Sequence, residues 1–196
     1  LEAAEGDIEF RAGRFVIGGT DRGIGLFELA KRQPEAKFVA SASETAKDQT
    51  WPNGCQIAEV EVDPETGVVT VTRHVAVDDI GRVMNPLIAH GQIEGGIAQG
   101  IGQALVERTV YDPENGQLLT GSFMDYQMPR ANDVPSYQVD TRETPCSHNP
   151  LGVKGVGEVG TIGSPPAVIN AVVDALAHLG VKHIDMPATP ERAWRA

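Results

Sequence analysis

The sequence predicts an α+β fold with mixed and antiparallel strands and packed helices, and three observations carry that prediction. Cys55 to Val62 and Val68 to Val77 alternate with a period of two, and Asp63-Pro64-Glu65-Thr66-Gly67 joins them as a turn. Asn85-Pro86 is a helix start, with Asn as N-cap and Pro at the first helical position, and the helix should run to about Glu107. A second strong helix should be capped by Ser164-Pro165 and end at Gly180.

In chain order, Asp7 to Phe10 and Arg14 to Ile17 flank Arg11-Ala12-Gly13 as a first hairpin, and Gly25 to Gln33 reads as a short helix stopped at Pro34. The central hairpin follows, then the long helix. That helix shows an apolar stripe of Ile93, Ile97, Ile101 and Leu105, a row of small residues at Gly91, Gly95, Ala98 and Gly102, and an amide face of Gln92, Gln99 and Gln103. Interior glycines cost up to about 1 kcal/mol each relative to alanine. They therefore point to close approach of another backbone or of a flat ligand, or to tight packing on a neighbouring helix. After a polar loop at Asp112 to Gly116, Ser136 to Thr144 alternates like a strand. The last helix directs Val168, Val172, Ala175, Leu176 and Leu179 to a core.

With 196 residues, 41% of them hydrophobic, the chain can bury one core or two small ones. No run approaches about 18 uninterrupted apolar residues, and no signal segment opens the chain, so it reads as soluble and cytoplasmic with no transmembrane segment. The start, LEAAEGDIEFRAGRFVIGG without methionine, reads as part of something longer. A net charge of −11 with scattered basic residues argues against a nucleic acid partner. Cys55 and Cys146 have no ligand spacing and read as buried, inert thiols, and the five histidines read as structural.

The most informative stretch is GVKGVGEVGTIGSPPA, Gly152 to Ala167, which sets one carboxylate, Glu158, among glycines. Glycine persists where a loop needs positive φ or where a ligand lies against the main chain, and an acid held there can act as a base. A solvated loop carboxylate is an equally good reading of the spacing. Gly155 to Gly160 matches GxGxxG, but the approach through Cys146 to Pro150 is no strand and the predicted helix waits until Ser164, so a dinucleotide turn is rejected. A P-loop fails too, because Lys154 precedes the glycines. Asp78-Asp79, at a strand end beside Gly81, suits a metal or ligand hydrogen bonds, but such pairs more often serve as a turn or cap device.

Three stretches taken together resemble a known family. VDDIGRVMNPLIAHGQIEGGIAQGIGQALVE (77–107), FMDYQMPRANDVP (123–135) and GVKGVGEVGTIGSPPAVINAVVDAL (152–176) are similar, in order and spacing, to the C-terminal part of the molybdenum-binding large subunit of the xanthine oxidase family. Within it they look most like aerobic carbon monoxide dehydrogenase and aldehyde oxidase large subunits. The resemblance covers nearly the whole chain. It implies that residues 1–196 form the C-terminal portion of a molybdopterin cofactor-binding domain within a longer catalytic subunit.

The implied enzyme oxidises carbon monoxide, an aldehyde or an N-heterocycle with water as oxygen source, and Glu158 is its active-site base. The resemblance further implies that Gln92 lies against a molybdopterin cytosine dinucleotide carrying Mo. Asp79 and Lys154 would hydrogen-bond that cofactor, with the main chain at Gly155 and Gly157 close to it; no residue here is assigned as a metal ligand. FAD and [2Fe-2S] clusters would sit on partner subunits or domains, and the upstream half of the large subunit would supply the other wall of the site. The alternative is a non-catalytic assembly module that docks partner subunits. A separately encoded half of a split subunit would differ only in gene structure.

Overall fold

The computed structural model describes residues 1–36, 38, 39, 41, 43, 45 and 48–196, which fall into two compact units, Leu1–Thr45 and Ala46–Ala196. In the first unit, β1 (Ile8–Arg11), β2 (Arg14–Ile17) and β3 (Gly23–Gly25) form an antiparallel meander in that order. Ala12 and Gly13 both take positive φ, 47° and 76°, as a two-residue hairpin turn between right-twisted strands requires. Phe10 and Phe15 stack across it with ring centroids 4.8 Å apart. The helix α1 (Leu26–Lys31) follows, within the predicted span and short of Pro34.

In the second unit, β5 (Val69–Asp79) is the centre of a three-stranded sheet, antiparallel to β4 (Asn53–Val62) and parallel to β6 (Tyr137–Thr141). The turn between β4 and β5 is built as its residues dictate. Asp63 accepts hydrogen bonds from the Glu65 amide and the Thr66 hydroxyl, both at 2.8 Å, and Gly67 supplies φ of 71°. Gln56, Ala58, Val60 and Val62 point inwards from β4, whereas Cys55, Ile57, Glu59 and Glu61 are exposed. The prediction of buried thiols is thus corrected: Cys55 lies on the outer parity of its strand, and Cys146 is half-buried in a loop, its Sγ 3.5 Å from the His148 amide.

The register shifts between Glu59 and Val60: Glu59 faces Arg73 but Val60 faces Val71, leaving Thr72 as an extra residue. Thr72 and Arg73 are both exposed as a result, and His74, Ala76 and Asp78 turn inwards.

The long helix α2 (Pro86–Leu105) starts where the sequence predicts, with the Asn85 side chain accepting from the Ile88 amide at 3.2 Å. Ile93, Ile97, Ile101 and Leu105 are all buried. The helix α3 (Val159–Leu176) departs from expectation: it begins five residues before Ser164, inside the Gly-rich loop, with Glu158 as N-cap and Pro165 and Pro166 in its interior. Its Val168, Val172 and Leu176 are buried as predicted, but Leu179 is exposed because the chain tightens into a 3-10 turn at Ala177–Leu179 and reverses at Gly180, φ 92°. By length and composition Val159–Leu179 could cross a membrane. In this fold its apolar face is instead covered by α2 and β4, which makes it a core helix. A short helix α4 (Pro190–Arg195), capped by Thr189, ends the chain.

Glycines set the crossing of α2 and α3. A Cβ at Gly96 would sit 2.8 Å from the Thr161 amide, one at Gly100 would meet Ser164 and Pro165, and one at Gly160 would overlap the Ile93 carbonyl. The predicted small row, Gly91, Gly95, Ala98 and Gly102, is therefore not the row that meets α3. The contact lies one position further round, because α3 packs beside the Ile93/Ile97 stripe.

Candidate functional site

The end of β5 and the Gly-rich loop are joined by backbone hydrogen bonds. The Arg82 amide donates to the Gly152 carbonyl at 2.9 Å and the Lys154 amide to the Ile80 carbonyl at 2.9 Å, around an antiparallel bridge between Gly81 and Val153. Gly81 (φ 65°) and Gly152 (φ 70°) both adopt the left-handed conformation, and a Cβ on Gly81 would overlap the Gly152 carbonyl. Asn149 completes the clasp, accepting from the Val153 amide at 3.1 Å and donating to its carbonyl at 2.9 Å.

Asp79 anchors this arrangement. One carboxylate oxygen accepts from the amides of Gly81 (2.9 Å) and Thr144 (3.1 Å), and the other from Lys154 Nζ (2.7 Å) and the Asn53 amide (3.4 Å). Burial alone would raise its pKa. The hydrogen bond from Lys154 and those from Gly81 and Thr144 outweigh that effect and hold the carboxyl well below its ordinary value of 3.8. The Asp79 and Lys154 side chains are each only 10% exposed. These two predicted site residues are thus one another's partners, and Asp79 has its acceptor positions occupied.

Its neighbour Asp78 is 2% exposed, and its Oδ2 has no hydrogen-bond partner among the described residues. Burial raises its pKa. The carboxylate lies over Gly54, where a Cβ would overlap it, beside a cavity of about 100 Å³ lined in part by Asn53, Gln56 and Gly163.

Beyond Lys154 the loop opens. Gly155 is exposed, its amide 3.3 Å from Thr50 Oγ1, and a Cβ there would meet nothing within 4 Å. Among the described residues, and leaving out its chain neighbours, the atom close to where a Cβ on Gly157 would stand is Gln92 Oε1, 3.9 Å away. Glu158 comes next, exposed, its carboxylate capping no amide of α3. On α2, Gly91 and Gly95 flank the exposed Gln92 and also face open space. The structure therefore gathers Gln92, Gly157 and Glu158 on the bare side of the α2/α3 junction, with Lys154, Asp79 and Gly155 leading up to it.

This surface fits one wall of a site for a large, flat, polar group. Bare backbone at four glycines lets a ring system approach, and the Gln92 amide and the Glu158 carboxylate can supply hydrogen bonds. The helix does start inside the GxGxxG stretch, which removes one ground for rejecting a dinucleotide turn. The other ground stands: the segment before it contributes a single bridge residue, Val153, paired with Gly81, and not a parallel strand.

Sequence reasoning missed the residues that support this wall. Gln56 Nε2 donates to the carbonyls of Val159 (3.1 Å) and Gly160 (3.2 Å), and Gln56 Oε1 lies 3.0 Å from Nε2 of fully buried His74. Ser164 Oγ, also fully buried, donates to the Ile97 carbonyl at 3.0 Å. The available signal was Gln56 itself, a polar residue on the inward parity of an otherwise apolar strand face.

Comparison with known proteins identifies the family. Residues 1–135 match the family model described as molybdopterin cofactor-binding domain. The carbon monoxide dehydrogenase large chain of Hydrogenophaga pseudoflava is 36% identical over the full chain, and the nicotine 6-hydroxylase large subunit of Paenarthrobacter nicotinovorans 39%. The crystal structure of quinoline 2-oxidoreductase from Pseudomonas putida 86 superposes with a TM-score of 0.88 at 41% identity over 99% of the chain. The chain spans about a quarter of the length of each, 25%, 25% and 26% respectively. With its mixed and antiparallel sheets and packed helices, the chain belongs to the molybdopterin cofactor-binding domain family, whose relatives include the large subunits of molybdenum-dependent oxidoreductases.

Proposed function

We propose that residues 1–196 are the C-terminal portion of the molybdopterin cofactor-binding domain in a cytoplasmic molybdenum hydroxylase catalytic subunit, and that Glu158 is its active-site base. The observation that carries this reading is the placement of Glu158: an exposed residue at the N-cap of α3, between bare Gly157, which adjoins Gln92, and tightly packed Gly160. The substrate class is carbon monoxide, an aldehyde or an N-heterocycle, with water as the source of oxygen.

When bound, molybdopterin, in its cytosine dinucleotide form, supplies the metal that takes up two electrons from the substrate. The Gln92 side-chain amide and the main chain at Gly155 and Gly157 hold the cofactor against the open face. Lys154, fixed by Asp79, directs its remaining N–H groups toward it, so Asp79 acts through Lys154 and through the loop it clamps. A Glu158 carboxylate oxygen receives the proton lost by the attacking water, a contribution worth about 10² to 10⁴-fold in rate. The upstream half of the subunit would supply the opposite wall, and FAD and [2Fe-2S] clusters on partner subunits or domains would accept the electrons. One wall does not enclose the cofactor, so this chain alone neither retains molybdenum nor turns over.

The test is Glu158→Gln in the whole subunit, purified with its partners. Turnover should fall about 10²-fold or more, with molybdenum and released cytosine nucleotide per subunit unchanged. Undiminished turnover would remove Glu158 from the chemistry. A wild-type subunit without molybdenum would favour an assembly module, in which bulky residues at Gly95 or Ala98 should release partner subunits.

A further inference from the structure

Glu158 sits on a helical turn that the rest of its helix does not hold in place. Pro165 and Pro166 have no N–H, so the carbonyls of Thr161 and Ile162 lose their helical donors and the ladder is interrupted one turn into α3. Side-chain hydrogen bonds to α2 and from β4 hold that turn. Thr161 Oγ1 donates to the Gly96 carbonyl at 3.2 Å, Ser164 Oγ to the Ile97 carbonyl, and Gln56 Nε2 to the carbonyls of Val159 and Gly160, the two residues that directly follow Glu158.

The Gln56 amide has one workable orientation. Both of its N–H groups face carbonyl oxygens, and turning it over would set oxygen against oxygen. Its Oε1 must then accept, which fixes His74 as the tautomer protonated at Nε2. His74 is fully buried and its Nδ1 has no partner among the described residues, so the ring is a neutral donor whose place is set by packing. Gly163 completes the fit, since a Cβ there would lie 2.6 Å from Gln56 Cδ.

We propose that Gln56, oriented by His74, is a positioning residue that sets where Glu158 stands; this rests on the reading of Glu158 as the base. Through the first turn of α3 it holds the carboxylate in line with the open glycine face. A shift of about 1 Å at a reacting group can cost up to about 10²-fold in rate.

The test uses the whole subunit with its partners and cofactor, assayed on whichever of carbon monoxide, benzaldehyde and quinoline it oxidises. Gln56→Met keeps the side-chain volume and removes the hydrogen bonds. Molybdenum per subunit should stay unchanged, kcat should fall about tenfold or more with KM moving less than about twofold, and amide exchange at 159–163 should quicken about tenfold. Gly163→Ala, which displaces the Gln56 amide from the other side, should reproduce this pattern. On a Glu158→Gln background, Gln56→Met should change the residual rate by less than about twofold, because the two act as one unit.

Losses that multiply in the double variant would overturn the proposal, as would wild-type kcat in both single variants. In the second case the base reading survives if Glu158→Gln alone is inactive. If Glu158→Gln keeps full turnover, the base reading falls with the positioning of a base, and the exchange data report only whether Gln56 holds the turn. Loss of molybdenum in Gln56→Met with retention in Gly163→Ala at lowered kcat would support the proposal. Loss in both would assign Gln56 to the fold and overturn it.

Discussion

The helix α2 carries two kinds of glycine within a few residues of each other, and the contrast separates stability from site. Gly96 and Gly100 face α3, where any side chain would collide with Thr161, Ser164 or Pro165. Gly91 and Gly95 lie on the face around Gln92, where a Cβ would meet nothing within 4 Å among the described residues. The first pair is explained by packing, since two backbones approach closely only without Cβ atoms. The second pair has no packing reason, and glycine there costs up to about 1 kcal/mol of helix propensity relative to alanine. The same division recurs in the Gly-rich loop, where Gly160 is pressed against Ile93 while Gly155 and Gly157 stay bare.

The contrast is broken most severely on its packed side. Gly160→Val should destabilise the chain by about 3 kcal/mol or more, because the added atoms have only the backbone of α2 to displace; urea denaturation reads the loss as a lowered midpoint. Next is Lys154→Met, which leaves Asp79 buried without its cation. Asp79 keeps its bonds from two amides and Asn53, so the expected loss is about 2 kcal/mol, below the usual cost of breaking a buried pair. Because the folded pKa of Asp79 is depressed, its ionised form contributes stability in full above the ordinary value of 3.8, and that contribution fades as pH falls towards the folded value. Asp79→Asn should accordingly flatten the acid limb of the stability curve below about pH 4.

Asp78→Asn should act in the opposite direction. Burial raises the folded pKa of Asp78, so its ionised form opposes folding at neutral pH and not below 3.8. The variant should be more stable than the wild type at pH 7, and the gain should vanish on acidification. The smallest effect sharpens the comparison most: Gly95→Ala should stabilise the chain by about 0.5 to 1 kcal/mol while lowering molybdenum occupancy in the whole subunit. Stabilisation with full occupancy would mean that the bare face serves something other than the cofactor.

Much of the fold was legible in the chain. Both hairpins, the Asn85 cap and the Ile93-to-Leu105 stripe follow from local pattern, because each is decided by neighbours within a few residues. The start of α3 was not legible. Ser164-Pro165 has the form of a helix start, and only the docking of Gly160 on α2 carries the helix back to Val159. The faces of the glycines were hidden for the same reason, as helical spacing does not say which neighbour arrives on which side. At the site, the loop around Glu158 stood out by composition. The mutual engagement of Asp79 and Lys154, the Asn149 clasp and the Gln56–His74 pair join residues 4 to 75 positions apart, and most of those pairings leave no local trace.

The extra residue in β5 has a consequence for which changes in chain length this hairpin can absorb. If Thr72 were paired like any other residue and the strand alternated regularly from the turn, Arg73, Val75 and Val77 would face the core, and His74, Ala76 and Asp78 would face water. The bulge at Thr72 works as a reading-frame shift within the strand: it keeps Val71 and His74 on one face although two residues separate them, so deleting this one exposed residue, whose hydroxyl bonds the Glu59 carbonyl at 3.2 Å, leaves a regular ladder with the same residues facing the core. Insertions in the turn at Asp63 to Gly67 leave that frame intact. A deletion of one residue between Val71 and His74 removes the bulge and keeps the pairing on either side, whereas a deletion between His74 and Asp79 exchanges the faces of the residues beyond it.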